Sequence, residues 1–217
     1  MARYSNKLQY KIIGDNYPVL VMDDFYSNQQ IKEIWHELDG YNISNSRDFL
    51  WEKNLNDPNR TKDKDGNSLV TNSRIYLDRL YAPNVRHMSF IFHNYGKLMS
   101  RPVLNVYKEM HPSTRNIENV NKDYSMISYY TGGDKYEFHK DNATHSALWW
   151  TYKEPKAFKG GDLVFKDGDF TIECKHNRMV MFPSYYLHAS TELEMDYAND
   201  EEKLGKYTIS HFFNINV

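Results

Sequence analysis

The amino-acid sequence predicts a mainly β (α+β) fold, a β-sandwich or jelly roll with supporting N-terminal helices. Three observations carry that prediction. After Asn121 the chain breaks into six short β-rich runs separated by turn signals. Helical spacing of apolar residues is confined to the part before Asn121. No period of about 20 to 50 residues repeats, which argues against a solenoid or propeller. A chain of 217 residues fits one domain, with helical support and loops over about 1–120 and the β core over about 121–217.

Taken in order, the apolar run Tyr17 to Met22 reads as a strand that leads through Asp23-Asp24-Phe25-Tyr26 into a helix opening near Ser27. Ser27 or Asn28 can cap that helix. Ile31, Ile34, Trp35 and Leu38 form its apolar stripe, which should pack on a sheet, and Gly40 is expected to stop it. From Tyr41 to Asn72 the residues turn to Asn, Asp, Lys, Arg and Gly, which reads as a long, mobile surface loop. Long loops in compact domains tend to be lids or binding segments, so this one is placed at a substrate entrance, with Arg60, Lys62, Lys64, Arg74 and Arg79 available to contact carbonyls or a carboxylate. The spacing of Val85, Met88, Ile91, Phe92 and Leu98 predicts a second helix over about 83–109.

The β-rich runs are Tyr124–Tyr130, Ser146–Tyr152, Asp162–Phe165, Phe170–Cys174, Met179–Phe182 and Tyr207–Ile215. The turn signals are Gly132-Gly133, Gly160-Gly161, Asp167-Gly168-Asp169 and Pro183-Ser184. Six carboxylates between Glu192 and Glu202 read as a solvated loop.

Composition excludes several classes. With 18 Tyr, 11 Phe and 4 Trp the chain has far too many aromatics for disorder. Lys+Arg 27 against Asp+Glu 29 leave a net charge of -2, so no basic field indicates a nucleic-acid or membrane partner. A mean hydropathy of -0.78 and a polar opening without an apolar signal core lead us to expect neither a membrane span nor a secretory leader, hence an intracellular, cytoplasmic location. The lone Cys174 excludes an intrachain disulfide and a cysteine-cluster metal site, so any metal must be held by His and carboxylates. The sequence is silent on oligomeric state.

One pair stands out for chemistry. His139-Lys140-Asp141 places an imidazole and a carboxylate at i and i+2, on the same face of an extended segment, where both can reach a common ion. A third ligand should come from a distant strand. His188, after Met179-Val180-Met181-Phe182-Pro183, is the natural candidate, and His145 the weaker one. Two His and one carboxylate form the facial triad of non-haem Fe(II) sites, though the same set also describes hydrolytic zinc sites.

The run Tyr130-Thr131-Gly132-Gly133-Asp134-Lys135-Tyr136-Glu137-Phe138-His139-Lys140-Asp141 resembles the start of the catalytic core of Fe(II)/2-oxoglutarate-dependent dioxygenases, particularly their prolyl 4-hydroxylase-like branch. Phe158-Lys159-Gly160-Gly161-Asp162-Leu163-Val164-Phe165 resembles the family's glycine-paired hairpin. Met181-Phe182-Pro183 before His188 resembles the strand leading to its distal histidine, and Gly205 to Ser210 its last core strand. The similarity spans about 124–215, and Pro18 to Leu38 is similar to the family's opening strand and helix; residues 41–120 match no motif of the family.

The resemblance implies a double-stranded β-helix in which His139, Asp141 and His188 hold Fe(II). It implies 2-oxoglutarate and O2 as cosubstrates, with ascorbate as a reductant, and hydroxylation of an unactivated C–H bond. In this branch a lysine meets the distal carboxylate of 2-oxoglutarate. After His188 the chain has no Arg and only Lys203 and Lys206, so Lys206 is the candidate, with Thr208 on its strand face and Tyr130 opposite as further donors. The interval from His188 to Lys206 is longer than the family usually shows, because the acidic stretch lies within it. A lysine there has no role in a hydrolase, which argues against zinc. Trp149 and Trp150 point to opposite sides of one strand, so one belongs to the core and the other walls the site. Arg74, Trp149 and Tyr207 are the substrate-contact candidates. A protein or peptide prolyl residue is the expected substrate, a free amino acid or other small metabolite the alternative. A non-catalytic β-helix binding module is a third reading, whose signature, loss of a metal ligand, is not seen here.

Overall fold

The computed structural model describes residues 8–43, 50–58, 60–196 and 202–216. Two short strands, β1 (Lys11–Ile13) and β2 (Val19–Met22), precede helix α1 (Asn28–Tyr41). Strand β3 (Ser73–Tyr76) runs into a single helical turn, α2 (Leu77–Leu80). A 3-10 segment (Pro83–Met88), α3 (Phe90–Tyr95), α4 (Arg101–Met110) and a second 3-10 segment (Pro112–Asn119) complete the support. The β core follows: β4 (Lys122–Tyr130), β5 (Tyr136–His139), β6 (His145–Thr151), β7 (Lys159–Gly160), β8 (Leu163–Phe165), β9 (Phe170–Ile172), β10 (Arg178–Pro183), β11 (His188–Ser190), β12 (Leu193–Glu194) and β13 (Lys206–Asn214).

The strands form a seven-stranded antiparallel sheet in the order β1-β2-β10-β6-β13-β4-β3 and a four-stranded sheet in the order β5-β11-β8-β9, with β7 and β12 paired separately. This is the jelly roll expected from the spaced strands and turns. Each long strand of the larger sheet divides its side chains between two cores, because successive residues point to opposite faces. Leu20, Ala147, Trp149, Met179, Tyr207 and Ile209 pack under the helices. Val21, Leu148, Trp150, Val180 and Phe182 face the smaller sheet. A sheet covered on both sides explains why β6 and β13 read as nearly continuous buried runs.

Ser27 caps α1 through a reciprocal pair: Gln30 N donates to Ser27 Oγ at 3.3 Å, and Ser27 N donates to Gln30 Oε1 at 3.0 Å. The helix does not stop at Gly40. It continues to Tyr41, with Asn42 as its C-cap, because Gly40 is exposed and its cost of about 1 kcal/mol is too small to outweigh burial of Leu38 and Tyr41 on either side. The second helix expected over 83–109 is instead three short pieces. Pro83 opens the 3-10 turn, Ser89 Oγ accepts from Phe92 N at 3.2 Å and restarts the chain as α3, and Pro102 sits in the first turn of α4. Buried Glu37 of α1 ties the second piece down, accepting from Ser89 Oγ at 2.8 Å and Ile91 N at 2.9 Å.

The stretch 41–72 is also less loose than its composition suggests, where it is described. Arg60 and Val70 are buried, and Glu52 pairs with Arg74 and Val70 with Tyr136 as isolated bridges. Part of the stretch, 44–49 and 59, lies outside the described residues, as do 197–201 of the acidic stretch. Among the described residues no helix is long and apolar enough to cross a membrane.

Candidate active site

His139 ends β5 and His188 begins β11, and the two are register partners across the smaller sheet. Asp141 follows β5 and is fixed by its own backbone, whose N–H donates to Ser184 O at 3.0 Å. One ligand atom from each of the three residues lies within 4.8 Å of the other two. His139 Nδ1 is 2.8 Å from the Glu137 carbonyl, and His188 Nδ1 is 2.8 Å from the Tyr186 carbonyl. A carbonyl only accepts, so both Nδ1 atoms carry the proton and both Nε2 lone pairs are free.

Those lone pairs face the carboxylate: His139 Nε2 is 3.4 Å from Asp141 Oδ1, and His188 Nε2 is 3.5 Å from Asp141 Oδ2. Three lone-pair donors converging in a buried spot repel one another unless a cation lies between them. Donors about 2.1 Å from one ion and at right angles are about 3 Å apart, so the spacing suits a facial metal site. Burial pushes the His188 imidazole down to about 4 despite the pull of Asp141, which keeps it a neutral ligand. Burial works to raise Asp141, but the His188 and His139 imidazoles and the Ser146 hydroxyl outweigh it and hold the carboxyl below its usual value. Ser146 Oγ donates to Asp141 Oδ2 at 2.6 Å and lies 2.7 Å from Ser184 Oγ, and Tyr136 stacks on the His139 ring at 3.4 Å.

The three ligand candidates open on a cavity between the sheets, and Lys206 lines the same cavity. Its side chain is fully buried. Lys206 Nζ donates to Gly161 O and to Ser190 Oγ, both at 2.8 Å, and lies 4.1 Å over the Tyr130 ring. An ammonium has three protons, so one remains for a ligand. Gly161 is required here: a Cβ would meet Lys206 Nζ at 3.3 Å and Leu193 Cδ1 at 2.7 Å, and its φ of +74 is left-handed. Thr208 also lines the cavity, and its hydroxyl is buried without a hydrogen-bond partner. A buried cation beside an unpartnered hydroxyl fits the carboxylate end of a 2-oxoglutarate-sized dianion. Lys203 does not compete, since it packs over Tyr129 and lines a different pocket.

A second, open cavity adjoins the first and is lined by Arg60, Arg74, Tyr76, Tyr124, Tyr136 and Asp141 among others. Met126, Tyr136, Asp141 and Phe212 belong to both walls, so the metal-ligand cluster sits at the junction. Arg74 therefore lies where a substrate could approach.

Trp149 and Tyr207 do not. Both are on the helix side of the larger sheet, where Trp149 Nε1 donates to Asn177 Oδ1 at 3.0 Å and the Tyr207 hydroxyl accepts from Asn42 Nδ2 at 2.8 Å. The reason is strand parity: Thr208 pairs with Trp150, which lines the cavity, while Ile209 pairs with Trp149. Arg60 is likewise not available to a substrate. Its guanidinium donates to the carbonyls of Val70, Glu52 and Asn72. Sequence reasoning missed Ser146, Ser184, Ser190 and Tyr136, none of which has a motif of its own, and of the two tryptophans it offered as a wall of the site it named Trp149 as the contact where Trp150 lines the cavity. For Trp150 the signal was its adjacency to Trp149 combined with the face of Thr208.

No family model matches the sequence, and no curated protein does either. The fold is nevertheless a known one. It matches a Pseudomonas putida prolyl-4-hydroxylase at a TM-score of 0.60 and 12% identity, over 93% of this chain and 94% of the other. Prolyl 4-hydroxylase of Phytophthora capsici matches at 0.52 and 16% identity, over 90% of this chain and 58% of the other. NgTET1 in complex with 5mC DNA matches at 0.52 and 11% identity, over 91% and 72%. The fold is thus a double-stranded β-helix of the kind that the two prolyl 4-hydroxylases build, as the sequence motifs led us to expect.

Proposed function

We propose that this chain is an Fe(II)- and 2-oxoglutarate-dependent dioxygenase, one catalytic domain that hydroxylates an unactivated C–H bond. Prolyl 4-hydroxylase-like action on a protein or peptide is the leading substrate reading, supported by the branch-specific lysine and by the prolyl hydroxylases among the fold neighbours. The observation that carries the oxygenase reading is that a convergent His-Asp-His set and a fully buried ammonium, Lys206, face one cavity. A structural lysine has no reason to lose its hydration there.

In this reading His139, Asp141 and His188 hold Fe(II), and Lys206 with Thr208 and Tyr130 binds the distal carboxylate of 2-oxoglutarate. Bound Fe(II), with 2-oxoglutarate and O2, supplies a coupled oxidation in which the cosubstrate becomes succinate and CO2 and one oxygen atom enters the substrate. The chain's contribution is placement. Ser146 and the two backbone carbonyls orient the ligands, and Leu148, Trp150, Leu163 and Phe212 keep water from the cavity.

The test is succinate release from 2-oxoglutarate with Fe(II), O2 and ascorbate, followed by mass spectrometry for one added oxygen across prolyl peptides and free amino acids. No 2-oxoglutarate turnover would remove the oxygenase reading. Oxygen on a free amino acid but not on any peptide would remove the prolyl-peptide reading alone.

A further inference from the structure

We infer that the substrate carries a carboxylate and that Arg74 is the residue that binds it, an inference that rests on the oxygenase reading above. Arg74 lies on β3, only 2% exposed, in the wall of the open cavity. Its Nε donates to Asn72 Oδ1 at 3.1 Å, but its Nη2 is buried with no hydrogen-bond partner. Among the described residues no carboxylate pairs with it.

The other charges of that wall are accounted for. Arg60 is spent on backbone carbonyls, Arg79 pairs with Glu52 at 2.7 Å, Asp78 pairs with Arg86, and Lys140 is solvated. Asp141 faces the two imidazoles. Loading the site does not neutralise Arg74 either. The two charges of Fe(II) are met by Asp141 and the metal-bound carboxylate of 2-oxoglutarate, and Lys206 is met by the distal one. One buried positive charge is left over near the ligand cluster: Arg74 lies 5.5 Å over the Tyr136 ring, and Tyr136 stacks on His139 at 3.4 Å. A buried guanidinium is costly unless an anion meets it, and its planar fork matches a carboxylate better than a neutral carbonyl. A carboxylate held there would lie in the cavity that adjoins the ligand cluster, where the rest of the same molecule can extend toward Asp141. The donor is either a free amino or other organic acid, or an acidic group next to the oxidised residue of a peptide.

The inference is tested by calorimetric titration of the full chain loaded with Fe(II) and N-oxalylglycine under anaerobic conditions. One arm uses free L-amino acids against their primary amides. The other uses N-acetylated, C-amidated Gly-Pro-Xaa peptides with Xaa as Asp or Glu against Asn or Gln. An acid should bind about 10- to 100-fold tighter than its amide, and Arg74→Gln should weaken the acid to the level of the amide while leaving the amide's affinity alone. Should Arg74→Gln fail to fold, Arg74→Lys and the acid-against-amide comparison on the native chain decide the matter. Preference in the first arm identifies a small-molecule substrate, in the second an acidic peptide. Equal binding of acids and amides, no binding by any carboxylate, or a preference that survives Arg74→Gln overturns the proposal. N-oxalylglycine binding is measured first, so failure of the oxygenase reading would show before any substrate is added.

Discussion

Replacing Lys206 by methionine keeps most of the side-chain volume and removes the buried ammonium of the inner cavity, the group proposed to bind the cosubstrate. Two of its three protons are used within the protein, on Gly161 O and Ser190 Oγ at 2.8 Å each, so the third is the one available to 2-oxoglutarate. A hydrogen bond to a charged group contributes about 1.5 to 3 kcal/mol, which predicts a 2-oxoglutarate dissociation constant about 10- to 100-fold larger in Lys206→Met. Metal affinity should be nearly unchanged.

The pH dependence follows from the same burial. Desolvation lowers the Lys206 ammonium to about 8, partly opposed by Cys174 and Asp162, so above that pH the free pocket increasingly holds a neutral amine. Only the protonated form binds the carboxylate well. Affinity should therefore be flat below about pH 7 and then fall, by about fourfold between pH 6.5 and pH 8.5, through the linkage of protonation to binding. Anaerobic calorimetry of the Fe(II)-loaded protein measures both effects. Wild-type affinity in Lys206→Met, with loss in Lys203→Met instead, would refute the assignment, and so would a wild-type dissociation constant that does not change across pH 8.

The remaining predictions concern the metal ligands and the loop. His139→Ala, Asp141→Ala or His188→Ala should each abolish Fe(II)-dependent 2-oxoglutarate turnover with little change in thermal unfolding; full turnover by His188→Ala would sink the triad. Ser146→Ala removes the 2.6 Å bond to Asp141 Oδ2 and should weaken metal binding about 10- to 100-fold by equilibrium dialysis, whereas an unchanged affinity would mean Asp141 needs no such support. Arg60→Ala removes its hydrogen bonds to three carbonyls, of which Glu52 O keeps Arg74 N and Val70 O keeps Ser68 Oγ, and should cost about 1 to 3 kcal/mol in denaturant unfolding. A loss under about 0.5 kcal/mol would return Arg60 to the status of an ordinary surface residue.

Parts of the site were legible because the residues that build it are chemically rare in their segments. Lys206 could be singled out because the chain after His188 offers only one other basic residue, and Thr208 followed from alternation along one strand. The same alternation places Tyr207 on the opposite face. The two tryptophans were harder, because adjacency says that they diverge but not which way. Only the register of β6 on β13, Trp150 beside Thr208, decides it. Ser146 and Ser184 are common residue types whose meaning comes from a contact between strands far apart in sequence. Composition misled most before the β core. Polar residues in 41–72 suggested a solvated excursion, yet Arg60 is buried because backbone carbonyls meet its protons, a partner that no side-chain pattern reveals. In 83–109 apolar spacing outlived the helix, since Pro83, Ser89 and Pro102 reset the backbone while the spacing only records which side is buried.

The two cavities are built differently, and this bears on where specificity resides. The inner one is walled by regular strands, β4, β6, β8, β11 and β13, whose inward residues are held by pairing on both sides, so its shape changes little without breaking the sheet. The outer one borrows half its wall from Pro58, Arg60, Thr61, Arg74, Tyr76 and Arg79, from a segment joined to the core by isolated bridges and one short edge strand. Such a wall can be altered with the inner cavity intact. The fold neighbours fit that division, since prolyl hydroxylases and a protein bound to 5mC DNA share this architecture, which therefore does not select a substrate by itself. Selection must come from side chains that face the junction and that the sheet does not need. Arg74 meets both conditions: its Nη2 has no hydrogen-bond partner, and among the described residues no carboxylate pairs with its guanidinium.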